Sequence, residues 1–367
     1  MKVDGSSATW VERIANRDFS IVLDRRFASP APPPAAGCLV SRKLTLAAGL
    51  VGVALFAWTV WAAGPTQIWQ RLSALGWLAL LVPVPQLVAY VPDTLGWKFS
   101  FAARADVLRF STLYGVRLAG EGFNHVTPSG YVGGEAVKAY LVTRRGVDGS
   151  DATASVVVAK TLMSVAEILF ILTGTILALP RIPSASLQWL AVLAVVLLGG
   201  TTIAGLFWLQ HRGLFCGLLG VLRRLRIRIR ALEVREPELR KIDREIVRFY
   251  RDETRRFAAS VAFHFAGWIL GAAEVFFLSW WIGTPVGVGE AIAIDALAHV
   301  VKGLTLFIPG SIGFQEGGIV VLFAFFGFPA DAGVGFGLLR RAREIFCSAL
   351  GFGLVWWQTR ALALGAV

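Results

Sequence analysis

The sequence has little cysteine, histidine or charge, and these shortages exclude several classes of protein. Its three cysteines, Cys38, Cys216 and Cys347, lie far apart and form no CxxC or Cys/His pattern, so neither a disulfide framework nor a metal site is expected. The motifs GxSxG of serine hydrolases, HExxH of zinc peptidases and GxxxxGKS/T of nucleotide-binding proteins are absent. We therefore predict no cofactor and no enzymatic activity.

Only 16% of the residues are charged, whereas 56% are hydrophobic and the mean hydropathy is +0.64. This composition excludes an ordinary soluble domain and predicts an all-α polytopic membrane protein. The net charge of +12 does not indicate a nucleic-acid partner, because Lys and Arg gather at the ends of apolar segments and in one loop. That placement is typical of membrane topology and of contact with anionic lipid.

The chain divides into a tail, a membrane domain and a short end. Residues 1–40 mix charges with a proline-rich run and lack an apolar core before a cleavage site, so they predict a disordered cytoplasmic tail rather than a signal peptide. Residues 41–360 form the transmembrane domain and 361–367 a short tail. Six runs in this domain are long enough to cross about 30 Å of hydrocarbon: 44–63, 76–99, 153–179, 187–209, 258–282 and 333–358.

A repeated motif divides two further apolar stretches, 110–145 and 289–329. Pro128 is followed seven residues later by Glu135, and Pro309 is followed likewise by Glu316, with glycines between. Pro and Gly weaken helices, and irregular backbone at membrane depth is tolerated only against protein or water. Each stretch is therefore predicted to form a re-entrant hairpin of two half-helices, and such matched breaks point to a transporter site.

The distribution of Lys and Arg predicts the orientation. Basic residues occur near 25–43, 98–109 and 144–145 and throughout the loop 210–257, whereas the loops on the other side contain only Arg71 and Arg181. Both termini are then cytoplasmic, and the two hairpins enter from opposite faces, as in an inverted repeat. The repeat is a hypothesis, since only the Pro, Gly and Glu positions match.

The basic loop 210–257 has apolar residues at Ile242, Ile246 and Phe249, which share one helical face. Two interpretations fit this pattern. The loop forms a helix that lies along the lipid headgroups, or it is a solvated charged linker.

Ionisable residues inside membrane segments are costly and are therefore functional candidates. Glu135 and Glu316 each begin a returning half-helix, where free N–H groups favour a carboxylate, although each could be only a helix cap. Lys138 lies one turn after Glu135 and is a candidate partner or phosphate ligand. Before the first break, Glu121, Asn124 and His125 share one helical face. This face would bind a headgroup, relay protons or form a structural network.

In the second hairpin, Asp295, His299 and Lys302 follow i, i+4, i+7 spacing. They form one polar stripe on an apolar helix, and such a stripe needs water, a ligand or opposite charge facing it. Two other pairs share a face of their own helix and are interpreted as structural ion pairs that hold the bundle together. These pairs are Lys160 with Glu167 and Arg340 with Glu344.

The motifs resemble a known family. Residues 121–128 running into 133–141, together with 308–316, are similar to the flippase-like membrane domain of the lysylphosphatidylglycerol synthase family. The Gly-Gly-Glu-x-x-Lys form looks most like its stand-alone, hopanoid-biosynthesis-associated HpnL-like branch. The resemblance covers the layout of residues 40–360, with one departure at residues 160–163, where relatives often carry a Glu-Arg pair before an Asp.

The resemblance implies a bacterial inner-membrane protein that translocates or binds a lipid. The lipid would be an anionic phospholipid, an aminoacyl-phospholipid or a hopanoid. Lipid aminoacylation is not expected, because the synthase half of the bifunctional members is not present in the sequence. The predicted substrate-binding residues are Glu121, Asn124, His125, Pro128, Gly134, Glu135, Lys138, Asp295, His299, Lys302, Pro309, Gly310, Gly313 and Glu316.

Two alternatives stay open at this stage. The first is an intramembrane lipid-modifying enzyme that uses His125 with Glu121, or His299 with Asp295, as an acid-base pair. The second is a non-transporting partner of lipid or hopanoid biosynthesis enzymes that binds them through the basic loop. A homo-oligomer is compatible with each function.

Overall fold

The computed structural model describes residue 61 and residues 65–101, 108–126, 133–226, 233–304 and 314–363, and within these ranges it is helical and contains no strand. The described residues belong to one compact unit, Leu55–Val367, while Met1–Ala54 lies outside them. The α-helices are α1 Pro65–Ala74, α2 Val84–Phe99, α3 Phe110–Val126, α4 Gly133–Thr143, α5 Gly149–Ala178, α6 Ala185–His211, α7 Leu214–Arg224, α8 Glu236–Asp252, α9 Thr254–Gly271, α10 Ala273–Trp281, α11 Val288–Leu304, α12 Phe314–Phe325 and α13 Ala330–Ala363. Two 3-10 helices, Gly76–Leu81 and Leu179–Arg181, adjoin α2 and α5.

Four helical segments among the described residues are long and apolar enough to cross a membrane, and they match four of the six predicted spans. They are Gly76–Phe99, Gly149–Arg181, Ala185–His211 and Thr254–Trp281. Nearly all of the predicted span 44–63 lies outside the described residues. The predicted span 333–358 falls within α13, which is helical throughout and carries charged residues in its middle. Helix α13 also continues to Ala363, three residues into the predicted tail.

Helices end and restart around both predicted breaks. Helix α3 ends at Val126 and α4 begins at Gly133, while α11 ends at Leu304 and α12 begins at Phe314. The members of each pair pack against each other. Four motif residues lie between the paired helices and outside the described residues: Pro128, Pro309, Gly310 and Gly313. The re-entrant path of each segment stays a prediction.

Small residues allow close approach between the longest helices. Gly96 of α2 packs against the ring of His264 in α9. A Cβ atom at Gly96 would be 2.8 Å from that ring, so a larger residue would collide with it. Helices α3 and α13 cross at Gly122 and Gly351, whose Cα atoms face each other so closely that neither position has space for a methyl group. Such small-residue contacts are the usual way in which membrane helices approach each other.

Helix α8 resolves the two interpretations of the basic loop. The helix and its apolar face are confirmed, so the interpretation of this segment as a solvated linker is wrong. Ile242, Ile246 and Phe249 are buried against Ala154, Val158 and Leu162 of α5, so protein rather than lipid covers this face. The sequence could not distinguish these two neighbours, because lipid and a protein core are equally apolar.

Asp148 joins α8 to the beginning of α5. Its carboxylate accepts hydrogen bonds from the Ser150 hydroxyl and from the Ser150 backbone N–H at 2.9 Å, and it pairs with Lys241 of α8 at 3.1 Å. The Ser150 hydroxyl above all, and then its backbone N–H and Lys241, lower the pKa of Asp148 to about 2. Asp148 is thus the N-cap of α5 and remains ionised at neutral pH.

Asp148→Ala should lower the free energy of unfolding by about 1 kcal/mol at pH 7, because a helix cap is lost. A depressed carboxyl pKa contributes stability above its unfolded value of about 3.9, and this contribution disappears as the pH falls through the folded value. The difference between wild type and variant should therefore shrink between pH 4 and pH 2 in thermal unfolding of the detergent-solubilised protein. A difference that is constant over this range would contradict the assignment.

Candidate functional site

A cavity of about 480 Å³ lies between α2, α3, α5, α9, α11 and α13. Charged side chains of both signs surround it, although the helices that carry them are apolar. The carboxylates in its wall belong to Asp93, Glu121, Glu135, Glu167, Asp295 and Glu344, and the cationic groups belong to Arg117, Lys160, Lys302, Arg340 and Arg343, with His299 beside them. Ionisable groups at membrane depth are costly and persist where they face one another or a polar cavity.

The first wall is an ion-paired group on α2, α3 and α9. Arg117 donates a hydrogen bond to Asp93 at 2.7 Å and lies 3.7 Å from Glu121, one turn along α3. The Arg117 guanidinium also stacks over the Tyr90 ring, 4.9 Å from its centroid. On its other side, Asp93 is 3.0 Å from Nδ1 of His264. The arrangement fixes Arg117 at the cavity surface with its charge already balanced.

The second wall joins α3 to the beginning of α4. The Asn124 side chain accepts a hydrogen bond from the Gly134 N–H at 2.9 Å, so Asn124 caps α4 from a neighbouring helix. Asn124 also donates to Glu135 at 3.4 Å, and Lys138 pairs with Glu135 at 2.5 Å. Gly134 is required here, because a Cβ atom at this position would be 2.0 Å from the Gly120 carbonyl oxygen.

The third wall of the cavity is formed by residues of α5 and α11. His299 Nδ1 lies 3.1 Å from a Glu167 carboxylate oxygen, and the Trp268 ring contacts the imidazole edge-on with 4.4 Å between centroids. Lys160 and Lys302 line the cavity next to this pair. Both lysines are close enough to interact electrostatically with Glu167.

The fourth wall is a buried arginine cluster on α13. Glu274 of α10 accepts a hydrogen bond from Arg340 at 3.1 Å and forms an ion pair with Arg343 at 2.7 Å, and Arg340 also donates to Asp295. Next to it, Glu344 pairs with Arg341 at 2.9 Å. Further members of this cluster are Gln315, which donates to Glu344, and Glu316, which binds Arg341.

The structure brings six predicted site residues to the cavity: Glu121, Asn124, Glu135, Asp295, His299 and Lys302. In the described part of the chain, Lys138 and Glu316 are not among the residues that line the cavity. Lys138 pairs with Glu135, and Glu316 pairs with Arg341. Both Glu135 and Glu316 occupy the first turn of their helices, as predicted. The side chain of His125 is outside the described residues, together with the four motif residues named above.

Several cavity residues were not among the predicted site residues. Asp93 and Arg117 are ionisable residues inside apolar segments, and that property alone would have identified them. Glu167 and Arg340 were interpreted as partners within their own helices. They also pair across helices, with His299 and Asp295 respectively, which spacing along one helix cannot show.

The cavity wall carries charges of both signs, and most of them are paired. Each described carboxylate in the first and fourth walls is engaged by a guanidinium, so the surface presents fixed dipoles and balanced charges. Within the described ranges, no three His, Cys, Asp or Glu side chains converge as metal ligands would. The cavity can bind a polar headgroup, while the apolar outer surfaces of the same helices suit hydrocarbon.

Comparison with known proteins connects this architecture to a family. Residues 45–351 match the family described as the lysylphosphatidylglycerol synthase TM region. A UPF0104 membrane protein of Methanothermobacter thermautotrophicus is 23% identical over 286 residues, which cover 76% of this chain and 84% of that relative. No solved structure matches the chain. The match spans most of the sequence and includes every helix that lines the cavity, and the chain therefore belongs to the family of the lysylphosphatidylglycerol synthase transmembrane region.

Proposed function

We propose that this protein binds an amphipathic lipid in the bacterial inner membrane and moves it between leaflets. The headgroup enters the cavity between the two interrupted segments, and the acyl chains stay against the apolar outer surface. The observation that carries this proposal is the cavity itself, where charges of both signs meet inside an apolar helical bundle. A volume of about 480 Å³ is within the usual range for small-molecule sites, about 300–1,000 Å³.

The charge pattern favours a phospholipid or an aminoacyl-phospholipid over an uncharged hopanoid. Cationic groups on α5 and α11 suit a phosphate, and the carboxylates of α3 and α4 suit an ammonium group. A hopanoid carries no charged group that these side chains could bind. The HpnL-like branch is supported only by the Gly134-Glu135-x-x-Lys138 form, which the structure explains as a packing and ion-pair unit.

Movement of the lipid requires access from both faces. The predicted orientation supplies it, because the two interrupted segments enter from opposite sides and both termini are cytoplasmic. Their paired helices, α3 with α4 and α11 with α12, contribute residues to the same cavity. Rocking of one pair against the other would expose the headgroup to each leaflet in turn. The lipid leaves chemically unchanged.

Glu135→Gln should slow lipid movement at least tenfold, because the substitution removes a carboxylate from the cavity wall and leaves Lys138 uncompensated. The protein is reconstituted into liposomes with fluorescent phosphatidylglycerol, and dithionite quenching reports the fraction in the outer leaflet. Glu290→Gln is the matched control, since Glu290 forms a partly exposed pair with Arg181 away from the cavity.

Three outcomes of this experiment are informative. Slow movement in Glu135→Gln, with wild-type rates in the control, supports the proposal. Wild-type rates in both variants, or no movement with the wild-type protein, would contradict it. Mass spectrometry of the recovered lipid distinguishes transport, which preserves the mass, from intramembrane modification, which changes it.

A further inference from the structure

Among the described residues, the cavity wall includes a histidine–carboxylate pair that faces polar space, formed by His299 of α11 and Glu167 of α5. The side chain of His299 is 16% exposed and that of Glu167 is 32% exposed, and both line the cavity. The other membrane pair, His264 with Asp93, differs because the His264 side chain is only 3% exposed. His299 can therefore exchange a proton with water in the cavity, whereas burial separates His264 from it.

The surroundings of His299 determine what its protonation would do. With Nδ1–H donated to Glu167, the proton from water is taken up at Nε2 and the imidazole becomes a cation. Trp268 of α9 contributes an uncharged ring, and Glu316 of α12 is engaged with Arg341. The other charged groups that line the cavity are Lys160 of α5, Asp295 and Lys302 of α11, Asp93 of α2, Arg117 and Glu121 of α3, Glu135 of α4, and Arg340, Arg343 and Glu344 of α13. Glu274 of α10 pairs with Arg340 and Arg343.

Several of these groups form ion pairs with one another across helices. Asp295 is bound to Arg340, and Glu274 neutralises part of the charge on Arg340 and Arg343. A proton on His299 adds one positive charge to the same cavity wall as Lys160 and Lys302, both of which interact electrostatically with Glu167. Such a charge attracts an anion most strongly where the site is least exposed to water.

We propose that the surface formed by Lys160, Lys302 and the His299–Glu167 pair binds the phosphodiester of the lipid headgroup together with one proton. The inference rests on the proposed headgroup cavity and adds a coupling ion to it. The proton comes from water on the side from which the headgroup enters, is held at His299 Nε2, and leaves when the headgroup leaves. A proton gradient can then drive the movement of an anionic lipid.

Isothermal titration calorimetry of the full chain in phosphatidylcholine nanodiscs tests this coupling. The probes are dihexanoylphosphatidylglycerol, a lipid phosphodiester, and dimethyl phosphate, a free phosphodiester, and empty nanodiscs give the background. Neither probe changes its own protonation near neutral pH. Titrations in two buffers of different ionisation enthalpy therefore give the number of protons taken up by the protein for each anion bound.

We expect the wild-type protein to take up a measurable fraction of a proton for each anion bound at pH 7, because the bound anion stabilises the protonated imidazole. Affinity should rise about tenfold between pH 8 and pH 5.5, since the site gains a positive charge. Uptake with the lipid probe alone assigns the site to lipid headgroups, and uptake with both probes assigns it to phosphodiester anions in general. Binding without proton uptake, or no binding of either probe, would overturn the proposal.

His299→Gln should abolish the proton uptake, because the amide can donate to Glu167 but cannot accept the proton. His211→Gln is the matched control, since His211 is exposed at the end of α6 and should keep wild-type uptake. Equal uptake in His299→Gln and wild type would overturn the assignment to His299. If the wild-type protein takes up protons but moves no lipid in liposomes, the binding site is retained and the proposed transport fails.

Discussion

Replacement of Glu274 by alanine is expected to lower the free energy of unfolding by about 3–5 kcal/mol. Glu274 is 1% exposed and balances the charge of both Arg340 and Arg343, themselves buried. Without it, Arg340 keeps Asp295, whereas the acidic partner left to Arg343 among the described residues is Glu344 at 3.7 Å. The cost arises mainly from the uncompensated buried cation and exceeds the net value of the ion pair.

Thermal unfolding of this variant can be followed at the buried Cys347 thiol. Cys347 is 2% exposed, so a thiol-specific dye should label it only after unfolding. In a Cys38→Ser, Cys216→Ser background the other two cysteines are absent, and labelling then measures Cys347 alone. Glu290→Ala is the control, because it removes a partly exposed ion pair and should change stability by no more than about 1 kcal/mol. Similar unfolding midpoints for Glu274→Ala and Glu290→Ala would show that the cluster tolerates an unbalanced charge.

The arginine cluster also explains why the cavity persists between apolar helices. Four α13 residues lie in the middle of a 34-residue helix, at Arg340, Arg341, Arg343 and Glu344, and each has at least one partner on another helix. Their partners come from α10, α11 and α12, so α13 fixes the positions of three elements at once. Loss of a single partner should therefore affect the shape of the cavity as well as stability.

Much of the fold could be predicted from the sequence because the bilayer thickness constrains helix length. The apolar run 187–209 corresponds to helix Ala185–His211, and the run 258–282 overlaps the segment Thr254–Trp281 in all but its last residue. The polar stripe of Asp295, His299 and Lys302 could also be predicted from the sequence, because helix geometry fixes which residues share a face. Residues at i, i+4 and i+7 lie on one helical face, and the structure turns that face toward the cavity.

Partners on distant segments could not be predicted. Asp93 meets Arg117 and His264 only after α2, α3 and α9 pack together, and no local pattern encodes that meeting. Glu167 illustrates the same limit, because its spacing indicated Lys160 on its own helix but could not indicate the contact with His299 on α11. Sequence therefore identified which residues are chemically unusual, and tertiary packing decided how they combine.

A second prediction concerns the stability of the crossing between α3 and α13. A Cβ atom at Gly351 would be 2.7 Å from the Leu118 carbonyl oxygen and 2.7 Å from the Gly122 Cα atom. These are backbone atoms, so the collision cannot be relieved by rotation of a side chain. Gly353 lies two residues further along the same helix and would place its Cβ atom in open space.

Gly351→Ala should therefore lower the free energy of unfolding by about 3 kcal/mol, because α13 must move away from α3. Gly353→Ala adds the same methyl group to the same helix without a collision, and the greater helix propensity of alanine should leave stability equal or raise it by up to about 1 kcal/mol. The Cys347 labelling assay measures both variants. Because α3 and α13 both line the cavity, Gly351→Ala should also slow lipid movement, whereas Gly353→Ala should not. Equal behaviour of the two alanine variants would show that the crossing can shift freely, and the close contact between Gly122 and Gly351 would then have no part in holding the cavity together.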